Sequence, residues 1–313
     1  MKIDNRIILV FVATIGVYAI FLFLSDFNII LNKISEFKIS YLPLILLLVS
    51  ISWIPLFLKW HILIKNSEIS IPLRTSISVF LCGPAFEITP GHIGLIMKSQ
   101  ILKTSYNIPR TKTIPIIFVE KLYDLIGAII ASIIGIIILG LETYLIGIAI
   151  SVLLIIFFFI FYKPATEIFF KKITRMKFFS KYVENISEFS KTIQTSTNVR
   201  ITGMGVSLAV TYWFIISAAA YVTLIAFDVN ILNYLEITAI YTTSILLGAV
   251  TFIPGGIGVT EGSIAGLFAL YGIEVSTALF LSIMIRILLL WYSVSVGFIA
   301  LKFTGIFSLK KKD

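Results

Sequence analysis

The stretch FVEKLYDL, residues 118–125, sets Glu120, Lys121 and Asp124 in surroundings that are otherwise apolar. On a helix Glu120 and Asp124 share a face, four residues apart, while Lys121 and Asp124 are neighbours three apart. Arg286 sits in similar company, between Ile285 and Ile287. A charge at the centre of a membrane helix costs roughly 2.5–3.5 kcal/mol to insert, so it persists where it pairs or lines a polar path. Cations at that depth can hold a phosphate through charge-assisted hydrogen bonds, with nearby carboxylates competing for them. Otherwise these charges only pair with one another and lock helices together.

Two further acids flank a repeated motif. ITPGHIGLIMKS (88–99) and FIPGGIGVTEGS (252–263) both carry Pro-Gly-x-Ile-Gly, 164 positions apart. Glu87 stands three residues before Pro90, and Glu261 seven after Pro254. Proline removes a backbone donor and glycine tolerates positive φ, so Pro90-Gly91 and Pro254-Gly255-Gly256 are competent turn formers. Backbone groups freed by such turns cannot face lipid and must face protein or a water-filled cavity. Half-helices starting after them, near Gly94 and Gly258, would present amides suited to anions. Gly258, Gly262 and Gly266 also form a small-xxx-small face for close helix contact, and packing alone is the competing reading of these glycines. His92 occupies the free position of the first motif and reads as a hydrogen-bonding residue. Shifted by the repeat offset, Arg286 falls one residue from Lys121, which brings basic groups to equivalent depths.

The elements that must position these residues are membrane helices. Of 313 residues, 58% are hydrophobic and 13% charged, whereas soluble domains carry about 25% charged residues. Mean hydropathy is +1.04. Apolar spans of roughly 20 residues mark transmembrane helices. They occur near 7–25, 41–61, 113–140, 143–162, 200–227 and 276–303. The first lacks a cleavage site and reads as a retained helix rather than a signal peptide. Two more stretches, 72–105 and 233–272, are interrupted by the Pro-Gly motifs and read as re-entrant hairpins. Segment 164–198 alternates an apolar stripe (Phe169, Ile173, Met176, Phe179) with lysines, as in a helix lying on the inner membrane surface or a packed cytoplasmic cap.

Charge placement sets the orientation. With both termini cytoplasmic and both hairpins re-entrant, 21 of the 25 Lys and Arg residues face inward, Lys59 and Lys98 among them. Only Lys33 and Lys38 fall outside, and Lys121 and Arg286 lie within spans. The fold expected is therefore an all-α polytopic protein, a single membrane domain over 1–313 with about six full spans. Its halves, 41–140 and 200–303, form an inverted repeat with paired broken helices, the architecture of secondary transporters. The net charge of +9 is placed for a membrane surface and not for nucleic acid. One cysteine, Cys82, and two histidines, His61 and His92, are too few for a Cys- or His-based metal centre. His61, among Lys59, Trp60 and Lys65, reads as an interface anchor. No P-loop, nucleophile elbow or zincin motif occurs. No cofactor and no covalent catalysis are expected.

TPGHIG with the following Lys98 and Lys103, EKLYD, and PGGIGVTEG together resemble the flippase-like family defined by the membrane region of lysylphosphatidylglycerol synthases. The resemblance covers nearly the whole chain. The family's usual pattern has Gly where His92 stands and commonly Glu-Arg where Glu120-Lys121 stands; Lys lacks the planar fork of Arg. Synthase members carry a soluble aminoacyl-transferring domain after the membrane region, and here only about ten residues follow the last span. The resemblance thus implies movement of a phospholipid or polyprenyl-phosphate-linked intermediate between leaflets of the plasma membrane, without the synthase reaction. The alternatives are a membrane-embedded enzyme or accessory subunit acting on such a lipid, and an ion-coupled transporter of a small anion. Expected partners are anionic or phosphate-bearing lipids, with a second copy of the chain or lipid- and glycan-synthesis enzymes as protein partners.

Overall fold

The computed structural model describes residues 33–67, 69–88, 96–138 and 197–303, with a few single positions elsewhere. The spans expected near 7–25 and 143–162 and the surface segment 164–198 lie outside the described residues apart from such single positions. So do Pro90, Gly91, His92 and Gly94 of the first motif.

Every regular element among the described residues is helical. A 3-10 turn, Ile39–Tyr41, leads into α1 (Leu42–Asn66). Two short helices, α2 (Leu73–Leu81) and α3 (Ile96–Tyr106), flank the first Pro-Gly motif, and α4 (Arg110–Ile138) follows. The second series repeats this order. α5 (Val199–Ala226) precedes α6 (Tyr234–Val250) and α7 (Val259–Leu270) around the second motif. The last helix comprises α8 (Val275–Arg286), a π turn at Ile287–Trp291 and α9 (Tyr292–Phe303). Three helices, Ile39–Asn66, Val199–Ala226 and Val275–Lys302, are long and apolar enough to cross a membrane, and the protein is a membrane protein.

The exposed face of α1 shows which solvent it meets. Leu44, Leu47, Ile51, Ile54 and Leu58 recur three or four residues apart and are all exposed. The opposite face buries Ile45, Val49, Ser52, Lys59 and Leu63. In water such an exposed apolar stripe opposes folding; against lipid tails it carries no such penalty. Helix starts are capped by the local sequence. Asn233 accepts from the Glu236 amide at 3.0 Å, and the Glu236 carboxylate accepts from the Asn233 amide at 2.7 Å, a reciprocal box that satisfies donors a helix start leaves open.

Two apolar cores form, one around each broken segment. Phe80, Leu102, Ile116, Val119 and Leu63 gather around α2 and α3, and Ile240, Ile264, Phe268, Phe280 and Leu224 around α6 and α7. α1 packs along α5, with Lys38 before α1 bonded to Ala226, the last residue of α5, and to Asp228 just beyond it, so the two helices run antiparallel. α4 packs against α6, and α9 packs against α2 and the turn that follows it. That last contact is close: a β-carbon on Gly297 would lie 2.3 Å from the Ala85 amide nitrogen, so only glycine fits.

The first break begins earlier than the Pro-Gly motif suggests. α2 stops at Leu81, and a second turn former, Gly83-Pro84, opens a 3-10 turn at Pro84–Phe86. The small-residue face expected on α7 makes no close helix contact at Gly262 or Gly266 among the described residues. Nothing lies within 4 Å of where a β-carbon on Gly262 or Gly266 would sit, because α7 turns Ile264, Ala265 and Phe268 inward instead.

Candidate functional site

Five of the charged residues singled out by sequence come together. Glu87, Lys98, Glu120, Lys121 and Asp124 line one small, partly open cavity, with Trp53, Leu56, Phe80, Gly83, Pro84, Tyr212 and Ser293. α1 supplies the tryptophan, α3 Lys98, α4 the EKLYD residues and α5 Tyr212. The π turn adds an extra residue to a helical turn, a feature frequent at functional sites, and Ser293 of α9 reaches the cavity just after it. α4 is fixed in rotation by α5. Trp213 donates its indole N–H to the Asp124 carbonyl at 2.9 Å, and the Tyr123 and Thr202 hydroxyls bond at 2.9 Å.

Each buried charge in the wall has a defined role. The Lys98 ammonium donates to both Glu120 oxygens, at 2.9 and 3.0 Å, and lies 4.6 Å from the centre of the Trp60 ring. Lys98 is 3% exposed and Glu120 2%, so the pair joins α3 to α4 out of contact with solvent. Asp124 is shared: one oxygen accepts from Lys59, the other lies 3.3 Å from the Lys121 ammonium. Lys59 is fully buried, whereas the Lys121 side chain is 36% exposed. Lys121 is thus the accessible cation of the cavity. The Glu87 carboxylate makes no hydrogen bond or ion pair with another described residue; its backbone N–H donates to the Pro84 carbonyl at 3.1 Å.

The remaining candidates build the second turn. Gly255, Gly256 and Gly258 have φ of 62°, 65° and 86°, the left-handed region that favours glycine. Glu261, fully buried, accepts from the Gly258 amide at 2.7 Å and from Arg286 Nε at 2.9 Å. A guanidinium nitrogen of Arg286 also donates to the Gly255 carbonyl. The planar fork of arginine thereby holds the turn and the start of α7 together. Arg286 is 3% exposed and does not line the cavity. The two turns nevertheless adjoin: a β-carbon on Gly255 would lie 3.6 Å from Ile88, just after Glu87.

The sequence reading missed Lys59, Trp53, Tyr212 and Gly83-Pro84. Lys59 was the legible one, since it follows Leu58 inside an apolar span; proximity to the span's inner end placed it among surface bases. The structure corrects that: Lys59 is fully buried. His61 is stacked on Phe57, with ring centroids 5.7 Å apart, and bonds Ser76 at 3.4 Å. Among the described residues no group of three His, Cys, Asp or Glu side chains is placed to hold a metal ion.

Among the described residues the cavity therefore offers the Lys98–Glu120 and Lys59–Asp124–Lys121 pairs beside a carboxylate, Glu87, in no ion pair, with Lys121 as the partly exposed cation. No curated protein matches the chain. Among protein families, the lysylphosphatidylglycerol synthase TM region matches residues 8–297, nearly the whole length, and the chain belongs to that family.

Proposed function

We propose that the chain moves a phosphate-bearing lipid, a phospholipid or a polyprenyl-phosphate-linked intermediate, between the leaflets of the plasma membrane. The observation that carries this reading is the accessible Lys121 in a charged cavity walled by lipid-facing helices. The headgroup enters the cavity while the acyl chains stay in the bilayer, and the phosphate exchanges water for the Lys121 ammonium. Asp124 makes that exchange reversible. It gives up Lys121 to the phosphate and keeps Lys59, so no carboxylate is stranded without a partner. When the phosphate leaves, Asp124 takes Lys121 back.

The same reading treats 41–140 and 200–303 as inverted halves with re-entrant hairpins at 72–105 and 233–272. Three observations support it. The hairpin arms have 9, 11, 17 and 12 residues; at 1.5 Å per residue the longest is about 26 Å, short of the hydrocarbon core of about 30 Å. Equivalent helices α1 and α5 run antiparallel, and the last helix of each half packs on the hairpin of the other. Each half also carries one buried ion pair between its second hairpin arm and its last helix, with signs exchanged: Lys98 with Glu120, Glu261 with Arg286.

Reconstituted vesicles with a fluorescent phosphatidylglycerol and a membrane-impermeant quencher test the function. The wild type should exchange lipid between leaflets, and Lys121→Ala should slow it about tenfold or more, the value of one charge-assisted hydrogen bond. Exchange by the wild type no faster than in protein-free vesicles would remove the proposal.

A further inference from the structure

The charge balance of the cavity has a consequence for what must bind with the phosphate. Among the described residues its lining carries Lys98 and Lys121 against Glu87, Glu120 and Asp124, and Lys59, bonded to Asp124 from behind the wall, makes three of each sign. Outside it, Arg286 and Glu261 cancel. A phosphodiester adds one negative charge to a neutral site, and an uncompensated charge is costly where water is scarce. One carboxylate must therefore be neutralised as the headgroup arrives.

The ion pairs decide which one. Protonating Glu120 would strand Lys98, which is 3% exposed and bound to both of its oxygens. Protonating Asp124 would strand Lys59, which is fully buried, at the moment Lys121 turns to the phosphate. Glu87 has no such partner among the described residues, so its protonation breaks no ion pair. It also feels the neighbouring charges most relevant to the cycle: Lys121 and Asp124 on α4, Lys98 on α3 and Arg286 on α8. Tyr212 of α5 lines the same cavity, and the Tyr212 and Tyr241 hydroxyls both lie within electrostatic reach of it.

We infer that Glu87 is a proton-binding site coupled to the headgroup site, so that a phosphate-bearing lipid enters the cavity together with one proton. This rests on the lipid-transport reading above. The proton passes from water in the open part of the cavity to a Glu87 carboxylate oxygen as the phosphate docks on Lys121, and returns when the phosphate leaves. A proton gradient then sets the direction of lipid movement with no further energy source.

The test is binding of fluorescent phosphatidylglycerol, whose phosphodiester does not titrate near neutrality, to the full chain in neutral detergent from pH 5.5 to 8.5 at constant sodium. In the wild type Kd should weaken on the alkaline side by up to about tenfold per pH unit, the slope of one linked proton. Glu87→Gln, locked neutral, should bind with a flat profile, and Glu87→Asp should restore a slope. His92→Gln separates the other titratable candidate and should leave the slope in place. A flat wild-type profile, a slope that survives Glu87→Gln, or a slope lost only in His92→Gln would each overturn the inference while leaving the lipid reading intact. Absence of phosphatidylglycerol binding by every variant at every pH would remove the lipid reading and this inference with it.

Discussion

Glu120→Ala should lower the stability of the protein by about 3–5 kcal/mol, the cost of removing one partner from a buried ion pair. Lys98 would be left as a buried ammonium, 3% exposed, with the faces of Trp60 and Phe80 beside it at 4.6 and 5.2 Å. Aromatic faces attract a cation but do not replace two charge-assisted hydrogen bonds. α3 would lose its tie to α4, and with it the wall of the cavity. Thermal unfolding in detergent reads the effect. The double variant Lys98→Met/Glu120→Leu should recover most of the loss, because replacing both ions by apolar groups of similar volume removes the stranded charge. If the double variant were as unstable as Glu120→Ala alone, the loss would come from packing and not from charge.

The second large effect is expected at the other turn. Arg286→Ala should abolish lipid exchange while leaving phosphatidylglycerol binding at the cavity within a few-fold of wild type. Arg286 joins Glu261 to the Gly255 carbonyl and does not line the cavity. Its removal strands Glu261, fully buried at the start of α7, and frees the turn. Arg286→Lys keeps the charge without the fork and should fall between the two. Gly255→Val attacks the same turn through the backbone. At φ 62° a β-branched residue is strained by roughly 1–2 kcal/mol, although a β-carbon would meet nothing closer than 3.6 Å. Loss of binding together with exchange in Arg286→Ala would instead give Arg286 the phosphate-holding role that its depth in the sequence suggests.

Much of this was readable in the sequence, for physical reasons that differ by residue. Span positions follow from the composition of a chain solvated by lipid, and α1, α4, α5 and the last helix begin and end within a few residues of the expected limits. Glu120, Lys121 and Asp124 stand out because charge in an apolar span has few structural uses. Pairing across the fold is another matter. Lys59 and Asp124 are 65 positions apart, and nothing local distinguishes a lysine that turns inward from one that reaches the membrane surface. Arg286 was correctly placed deep in its span, yet its bond to the Gly255 carbonyl depends on a turn conformation that sequence alone does not fix. Gly262 and Gly266 have the spacing of a contact face, but the face of α7 that meets the described helices carries Ile264, Ala265 and Phe268. The membership in the lysylphosphatidylglycerol synthase TM region family, expected from TPGHIG, EKLYD and PGGIGVTEG, holds over residues 8–297.

The central claim is that a lipid headgroup enters the cavity beside Lys121. Its most direct test is a phospholipid carrying a photoreactive group on the headgroup, activated in vesicles containing the protein, with the adducts mapped by mass spectrometry. The account predicts adducts at the cavity wall, at Trp53, Leu56 or Tyr212, and their loss in Lys121→Ala. Adducts confined to the lipid-facing stripe of α1, at Leu47, Ile51 and Ile54, and unchanged by Lys121→Ala would contradict it.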